Sequence, residues 1–181
     1  YDVIKNRLMK KLISPEWVEA KELSENDLLL FKIPKYEVDN INITKEDCYM
    51  YGLILGDGCM YPSSTNCYLS LHSESKKEII NSAIDYLNKR CIENRCVIEG
   101  LTTRVYWKRN TQLIFRHCDI YDINKEKHIT SKWLNLPIEK SKYILKGLID
   151  TDGCKGNELV FDSTSRNLIE SLRYILLRMG I

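Results

Sequence analysis

Met50-Tyr51-Gly52-Leu53-Ile54-Leu55-Gly56-Asp57-Gly58 and Leu145-Lys146-Gly147-Leu148-Ile149-Asp150-Thr151-Asp152-Gly153 are two versions of one pattern in a chain of 181 residues. In each, an apolar helical run leads to an acid and then to glycine, which commonly ends a helix. Asp-Gly-Cys stands at 57–59 and again at 152–154. The match continues downstream, where YLSLHSES (Tyr68 to Ser75) shares its alternation and closing serines with ELVFDSTS (Glu158 to Ser165). An amphipathic helix follows each copy, at 76–91 and at 166–179. The first copy has the longer turn, since Gly58 to Ser75 is 17 positions and Gly153 to Ser165 is 12. Such self-similarity means one supersecondary unit used twice.

The unit can be spelled out from local signals. Thr44-Lys45-Glu46-Asp47 reads as a capping box that starts the first motif helix. Strands are expected at 59–61 and 67–72, around the turn-forming Pro62-Ser63-Ser64-Thr65-Asn66. The helix over 76–91 places Ile79, Ile80, Ala83, Ile84 and Leu87 on one face. A second hairpin is expected from 103–107 and 112–117, around Lys108-Arg109-Asn110-Thr111, and a short helix around 131–135. In the second copy, Gly156-Asn157 supplies a tight turn. The order is α-β-β-α-β-β and then the repeat. No partner for the 103–117 hairpin follows the second amphipathic helix, so the second unit reads as truncated.

Small residues stand four apart within each motif, Gly52 and Gly56 in one, Gly147 and Thr151 in the other. That spacing puts them on one helix face. Small-xxx-small faces let two helices approach backbone to backbone. A parallel pair would bring Asp57 and Asp152, 95 residues apart in sequence, to adjacent helix ends. Two carboxylates forced together repel unless a cation lies between them, and an oxygen-only ligand set favours Mg²⁺. Metal-assisted hydrolysis of a phosphodiester is the chemistry such a pair suits.

Composition narrows the field. The chain is 44% hydrophobic and 29% charged, as globular proteins are. No apolar run approaches the ~20 residues of a membrane-spanning helix, and no secretory leader is visible. Seven cysteines are odd in number, scattered and without a Cys-x-x-Cys pair, which suits free thiols in a reducing, intracellular compartment. Net charge is +2, but residues 76–142 hold fourteen Lys/Arg against eight Asp/Glu. A basic middle suits a polyanionic partner.

With both motifs and their spacing laid out, the sequence resembles the LAGLIDADG homing endonucleases, of the dodecapeptide type found inside inteins. LKGLIDTDG departs from the family string at Lys146 and Thr151, and MYGLILGDG has Leu55 in place of the first acid. The family's metal-binding acid is the last Asp of each motif, which falls on Asp57 and Asp152. The resemblance implies an α+β fold with a pseudo-symmetric αββαββα repeat, divalent-metal-dependent cleavage of both strands of double-stranded DNA, and a single chain acting as a pseudo-dimer. It also implies a basic residue near the site in a "K.IP" segment, matched by Lys127 and Ile129, with Thr130 in place of proline.

A second resemblance lies upstream, where Trp17 to Leu28 is similar to the "W..A.EL..GD.L" segment of β-rich intein splicing domains, with Asn26 in place of the usual glycine. This implies a splicing-domain piece at 1–40, a first endonuclease subdomain at 41–136 and a second at 137–181. It also implies a host protein, whose exteins flank the element. The splicing nucleophile, the Thr-x-x-His segment and the terminal His-Asn are absent from these residues. An insert that has lost cleavage, or a regulator that binds DNA on the same fold, is the alternative.

Contact with DNA is expected from the 103–117 ribbon, because a two-stranded ribbon fits the major groove. Alternation turns Val105, Trp107, Leu113 and Phe115 inward and Arg104, Tyr106, Lys108, Gln112 and Arg116 outward. Lys155 and Asn157 hold the corresponding places in the second unit.

Overall fold

The computed structural model describes residues 2–4, 7–9, 16–25, 27, 36–61, 64–109, 113–155 and 159–181; for 2–4, 7–9, 154, 155 and 159 only the backbone is described. The chain divides into two units, Tyr1–Pro34 and Lys35–Ile181. The smaller unit contains an antiparallel pair, β1 (Asp2–Ile4) with β2 (Arg7–Met9), and a 3₁₀ turn over Ala20–Glu22. Trp17 is fully exposed there. Asn26 and residues 28–35 lie outside the described residues.

The larger unit opens with α1 (Lys45–Asp57), which begins on the expected capping box. The Thr44 hydroxyl accepts the Asp47 amide at 3.1 Å, and the Asp47 carboxylate accepts the Thr44 amide at 2.8 Å. Asp47 is completely buried, and it also accepts from the Tyr86 hydroxyl and the Arg90 guanidinium. Its charge is therefore paired and hydrogen-bonded, as a buried carboxylate must be.

Downstream come β3 (Gly58–Cys59), β4 (Asn66–His72), α2 (Lys77–Lys89), β5 (Asn94–Glu99) and β6 (Thr102–Lys108). They form one antiparallel sheet in the order β3-β4-β6-β5. On its inner face Cys67, Leu69, Val105 and Trp107 are buried in the core. The inward assignment of Val105 and Trp107 is therefore correct. The expected partner of their strand is not. β6 pairs with β4 on one side and β5 on the other, whereas 113–116 are not a strand and α3 (His117–Ile120) follows. Leu113 and Phe115 are buried all the same. They pack as a coil segment on the core, and Phe115 lies 5.8 Å from the Tyr51 ring and 6.0 Å from Trp133.

α4 (Ser131–Leu134) leads into α5 (Ile138–Asp152), then β7 (Gly153–Lys155), β8 (Leu159–Phe161) and α6 (Arg166–Met179). α6 starts on Ser165, whose hydroxyl accepts the Leu168 amide, and ends on Gly180 at φ 80°. The bounds of α6 are those expected from the sequence. β7 pairs with β8 in a two-stranded sheet, and Gly156 and Asn157 fall outside the described residues. Residues 36–40 strap the second half: Arg178, nearly buried, donates to Glu37 and to the carbonyls of Leu134 and Leu136. Lys140 pairs with Asp39.

Candidate active site

α1 and α5 cross at their small residues. A methyl on Gly147 would stand 2.7 Å from the Leu53 amide nitrogen and closer still to the Tyr49 carbonyl oxygen. A methyl on Gly52 would run into the Ile144 carbonyl, and one on Gly56 would sit 2.7 Å from Thr151 Cβ. Tyr49 and Ile144 are equivalent positions of the two motifs, so the crossing is two-fold in its detail. The Thr151 hydroxyl bonds back to the carbonyls of Gly147 and Leu148 at 3.0 and 2.9 Å, which lets a polar residue sit buried in the contact.

The crossing carries both helix ends to one place. A methyl on Gly56 would lie 3.3 Å from Asp152 Oδ2, so the second acid stands beside the last turn of the first helix. Burial, then the neighbouring Asp57 carboxylate, pushes the Asp152 carboxyl up to about 6, against the pull of Lys127 and Lys76. Desolvation and a like-charged neighbour both disfavour the ionised form, and the two lysines leave a deficit of positive charge. Helix C-termini add to the deficit, because the last carbonyls are themselves negative.

Two ammonium groups answer those carbonyls. Lys127 donates to the Gly56 carbonyl, and Lys76 donates to the Thr151 carbonyl while its Nζ lies 3.5 Å from Asp57 Oδ2. Gly56 and Thr151 are equivalent positions of the two motifs, so the lysines are related by the same two-fold. Burial pushes the Lys127 ammonium below its ordinary range, and Asp152 and Asp57 pull the other way. Its backbone is fixed by a tight turn over Tyr121–Lys127, in which Asp122 Oδ1 accepts the amides of Asn124 and Glu126. The Ser165 hydroxyl, at the head of α6, donates to the Lys127 carbonyl at 2.6 Å. Lys76, at the head of α2, was not singled out from the sequence, although it directly follows the serine that closes the repeated strand.

Among the described residues, no group of three or more His, Cys, Asp or Glu gathers to hold a metal. The donor set here is two carboxylates flanked by backbone carbonyls. Oxygen donors in that number fit a hard divalent cation that completes its shell with water or phosphate oxygens. The raised Asp152 carboxyl marks the place where such a charge is wanted. Asp150, at the family's first acid position, lies elsewhere: it accepts the Tyr49 hydroxyl at 2.9 Å across the helix pair.

Along the outer face of the sheet, Arg95 lies over the Tyr106 ring at 5.2 Å and Arg104 over Tyr68 at 5.6 Å, with the two tyrosine rings 5.5 Å apart. Arg104 also pairs with Glu99 at 2.8 Å. Stacking holds the plane of the Arg95 guanidinium over Tyr106, a posture suited to reading base edges, whereas the Arg104 guanidinium is engaged by Glu99. Arg104, Tyr106 and the exposed Lys108 therefore share a face as expected, and Arg95 joins them from β5. Arg116 does not. It is exposed at the head of α3, off the sheet, because its segment is not a strand. Lys155 lies in β7 by its backbone, and Gln112 and Asn157 are outside the described residues.

The fold and site together define a class: an α+β protein built on a two-fold helix pair whose tips gather two acids and two lysines. Comparison with known proteins gives that class relatives. The profile of the family described as "LAGLIDADG-like domain" matches residues 139–181, from α5 to the end of the chain. Among solved structures, the homing endonuclease I-DmoI in complex with DNA and Mn superposes with a TM-score of 0.58 at 15% identity, covering 77% of this chain and 80% of that one. I-DmoI with DNA and Ca gives 0.55 at 16% identity, covering 77% and 74%. At that identity the likeness establishes the fold. The ATP-dependent DNA helicase Hel308 of Methanocaldococcus jannaschii is 28% identical over 181 residues, covering 96% of this chain. This chain spans only 15% of that helicase's length.

Proposed function

We propose that this chain is a site-specific homing endonuclease that hydrolyses phosphodiester bonds in both strands of double-stranded DNA, using Mg²⁺ or another divalent cation, and that it lies within a protein-splicing element. The observation that carries the proposal is the meeting of Asp57 and Asp152 under two symmetry-related lysines. Asp57 and Asp152 would hold the metal, which when bound supplies charge neutralisation at phosphorus and an acidified water. Lys127 and Lys76 meet the negative charge that develops on the phosphate oxygens. The outer sheet face, through Arg104, Tyr106, Lys108 and Arg95, holds the duplex and reads base edges, and Lys155 and Asn157 serve the second half-site. Both half-sites come from one chain, so a monomer suffices.

Two features support the splicing context. The Trp17 to Leu28 segment is similar to splicing domains, and nearly the whole chain aligns with a small part of a helicase. An endonuclease-like stretch within a protein of different activity is what an insertion into a host gene produces. The exteins of that host would be the flanking partners.

The test is cleavage of DNA carrying the uninterrupted gene that hosts this sequence, with Mg²⁺, by the natural full-length element. Double-strand cuts at one site that disappear in Asp57→Asn and in Asp152→Asn support the proposal. Tight binding without cleavage would assign the chain to the non-cutting alternative.

A further inference from the structure

On one flank of the helix pair, Tyr51 of α1 is completely buried, with its ring stacked on the Trp133 indole at 4.1 Å. Its hydroxyl donates to the Asp119 carbonyl, and the His128 carbonyl lies 3.4 Å from the same oxygen. Those two carbonyls sit on the two legs of the turn that carries Lys127. The turn is closed by the Tyr121–Lys127 bridge and by two amides, His128 on the Ile120 carbonyl and Asp122 on the Glu126 carbonyl, both at 2.9 Å. One hydroxyl on a packed ring thus gathers both legs, and it does so at the residue next to Lys127. A satisfied buried hydrogen bond of this kind selects one arrangement, because an unpaired carbonyl in the core is costly.

Tyr51 stands five residues before Gly56 and six before Asp57 on the same helix. The Lys127 ammonium donates to the Gly56 carbonyl. A circuit of contacts therefore leaves α1 at Tyr51, runs through the turn and returns to α1 at Gly56, about 7.5 Å along the axis at 1.5 Å per residue. The helix that ends in the first acid also carries the group that places its lysine. The other half needs no such group. The Lys76 amide bonds to the His72 carbonyl at 3.2 Å and its carbonyl accepts the Ile80 amide at 3.0 Å, so α2 itself fixes that lysine. The 95-residue shift between the motifs carries Tyr51 to Lys146, which has no hydroxyl and lies over the Tyr49 ring at 4.8 Å.

We propose that Tyr51 is a positioning residue for Lys127, a role in cleavage that rests on the endonuclease reading. Its hydroxyl holds the turn so that the ammonium reaches the Gly56 carbonyl beside Asp57 and Asp152. The Ser165 hydroxyl also holds the Lys127 carbonyl, so loss of the tyrosine hydroxyl loosens the turn without releasing it. Because the two lysines are held differently, that loosening reaches only one half of the site.

Tyr51→Phe removes the hydroxyl and keeps the ring against Trp133. The first readout needs neither DNA nor metal: lysine acetylation of the full chain, followed residue by residue by mass spectrometry. Lys127 should be modified about fivefold faster in the variant, the loosening that loss of one hydrogen bond gives, with Lys76 unchanged. The second readout is strand-resolved nicking of supercoiled plasmid by the natural full-length element with Mg²⁺. Tyr51→Phe should slow the same strand as Lys127→Met, and the double variant should be no slower than Lys127→Met alone. Unchanged acetylation of Lys127, or an equal rise at Lys76, overturns the positioning role. So does slowing of both strands alike, or slowing that adds to that of Lys127→Met. A wild-type element that never cuts would remove the endonuclease reading, and the acetylation pattern would still decide whether Tyr51 holds the lysine.

Discussion

The two repeats supply their acids alike and their lysines differently. Asp57 and Asp152 come from equivalent positions at equivalent helix ends. Lys76, which caps the Thr151 carbonyl, belongs to the first repeat, and its counterpart by the serine alignment is Arg166, which is exposed. The ammonium on the Gly56 carbonyl comes instead from Lys127, in the connecting segment between the repeats. Duplication thus provides the scaffold and the two facing acids, while the two-fold arrangement of positive charge is restored by a residue outside the repeat. The halves are symmetric in geometry but not in sequence, and each can be perturbed by itself.

Breaking the symmetric part should cost most. Asp57→Asn or Asp152→Asn is expected to lower the rate of double-strand cleavage on the order of 10³-fold, each about as much as both together, measured on linear DNA substrate. Next comes the crossing. Gly147→Ala places a methyl against Leu53 and Tyr49 backbone, and urea unfolding should show a loss of about 3 kcal/mol, with Gly52→Ala similar. The lysines sharpen the comparison. Lys76→Met and Lys127→Met should each slow cleavage roughly a hundredfold, but on opposite strands, so supercoiled plasmid accumulates nicked circles in both variants. Equal slowing of both strands by either variant would contradict separate roles for the halves.

The smallest effect concerns stability. The folded Asp152 carboxyl is raised from 3.8 to about 6, so the fold disfavours its ionised form. Metal-free stability should then fall as pH rises from about 4 to about 6 and level off above that. Because the side chain keeps contact with solvent, Asp152→Asn is expected to gain only about 1 kcal/mol at pH 7, and nothing at pH 4, in chemical denaturation without divalent metal.

Much of this was legible in the sequence because repetition and capping are local. The box at Thr44 and Asp47, the glycine that ends each motif helix, and the serine-led α6 each depend on residues within a few positions. The four-residue spacing of Gly52, Gly56, Gly147 and Thr151 also announced a close helix contact. What the sequence hid was strand pairing. β5 is an edge strand exposed at Arg95, Cys96, Ile98 and Glu99, so it shows no inward–outward alternation, and only Gly100 at φ 61° marks its hairpin with β6. Residues 113–116 alternate as a strand would, since Leu113 and Phe115 are buried, yet they pack as coil under the Tyr51 flank. Alternation reports burial, and burial alone does not choose a partner. Lys76 was hidden for a related reason: its role is set by the Thr151 carbonyl 75 residues away.

Asp57 and Asp152 are proposed to serve one shared metal site. Titration of Mn²⁺ into the wild-type chain, the two single Asp→Asn variants and the double variant, at pH 7, tests it most directly. One shared site predicts that either single change abolishes the tightest Mn²⁺ binding and that the double change removes nothing further. Retention of half the binding in each single variant, with full loss only in the double, would mean two separate sites and would contradict the account.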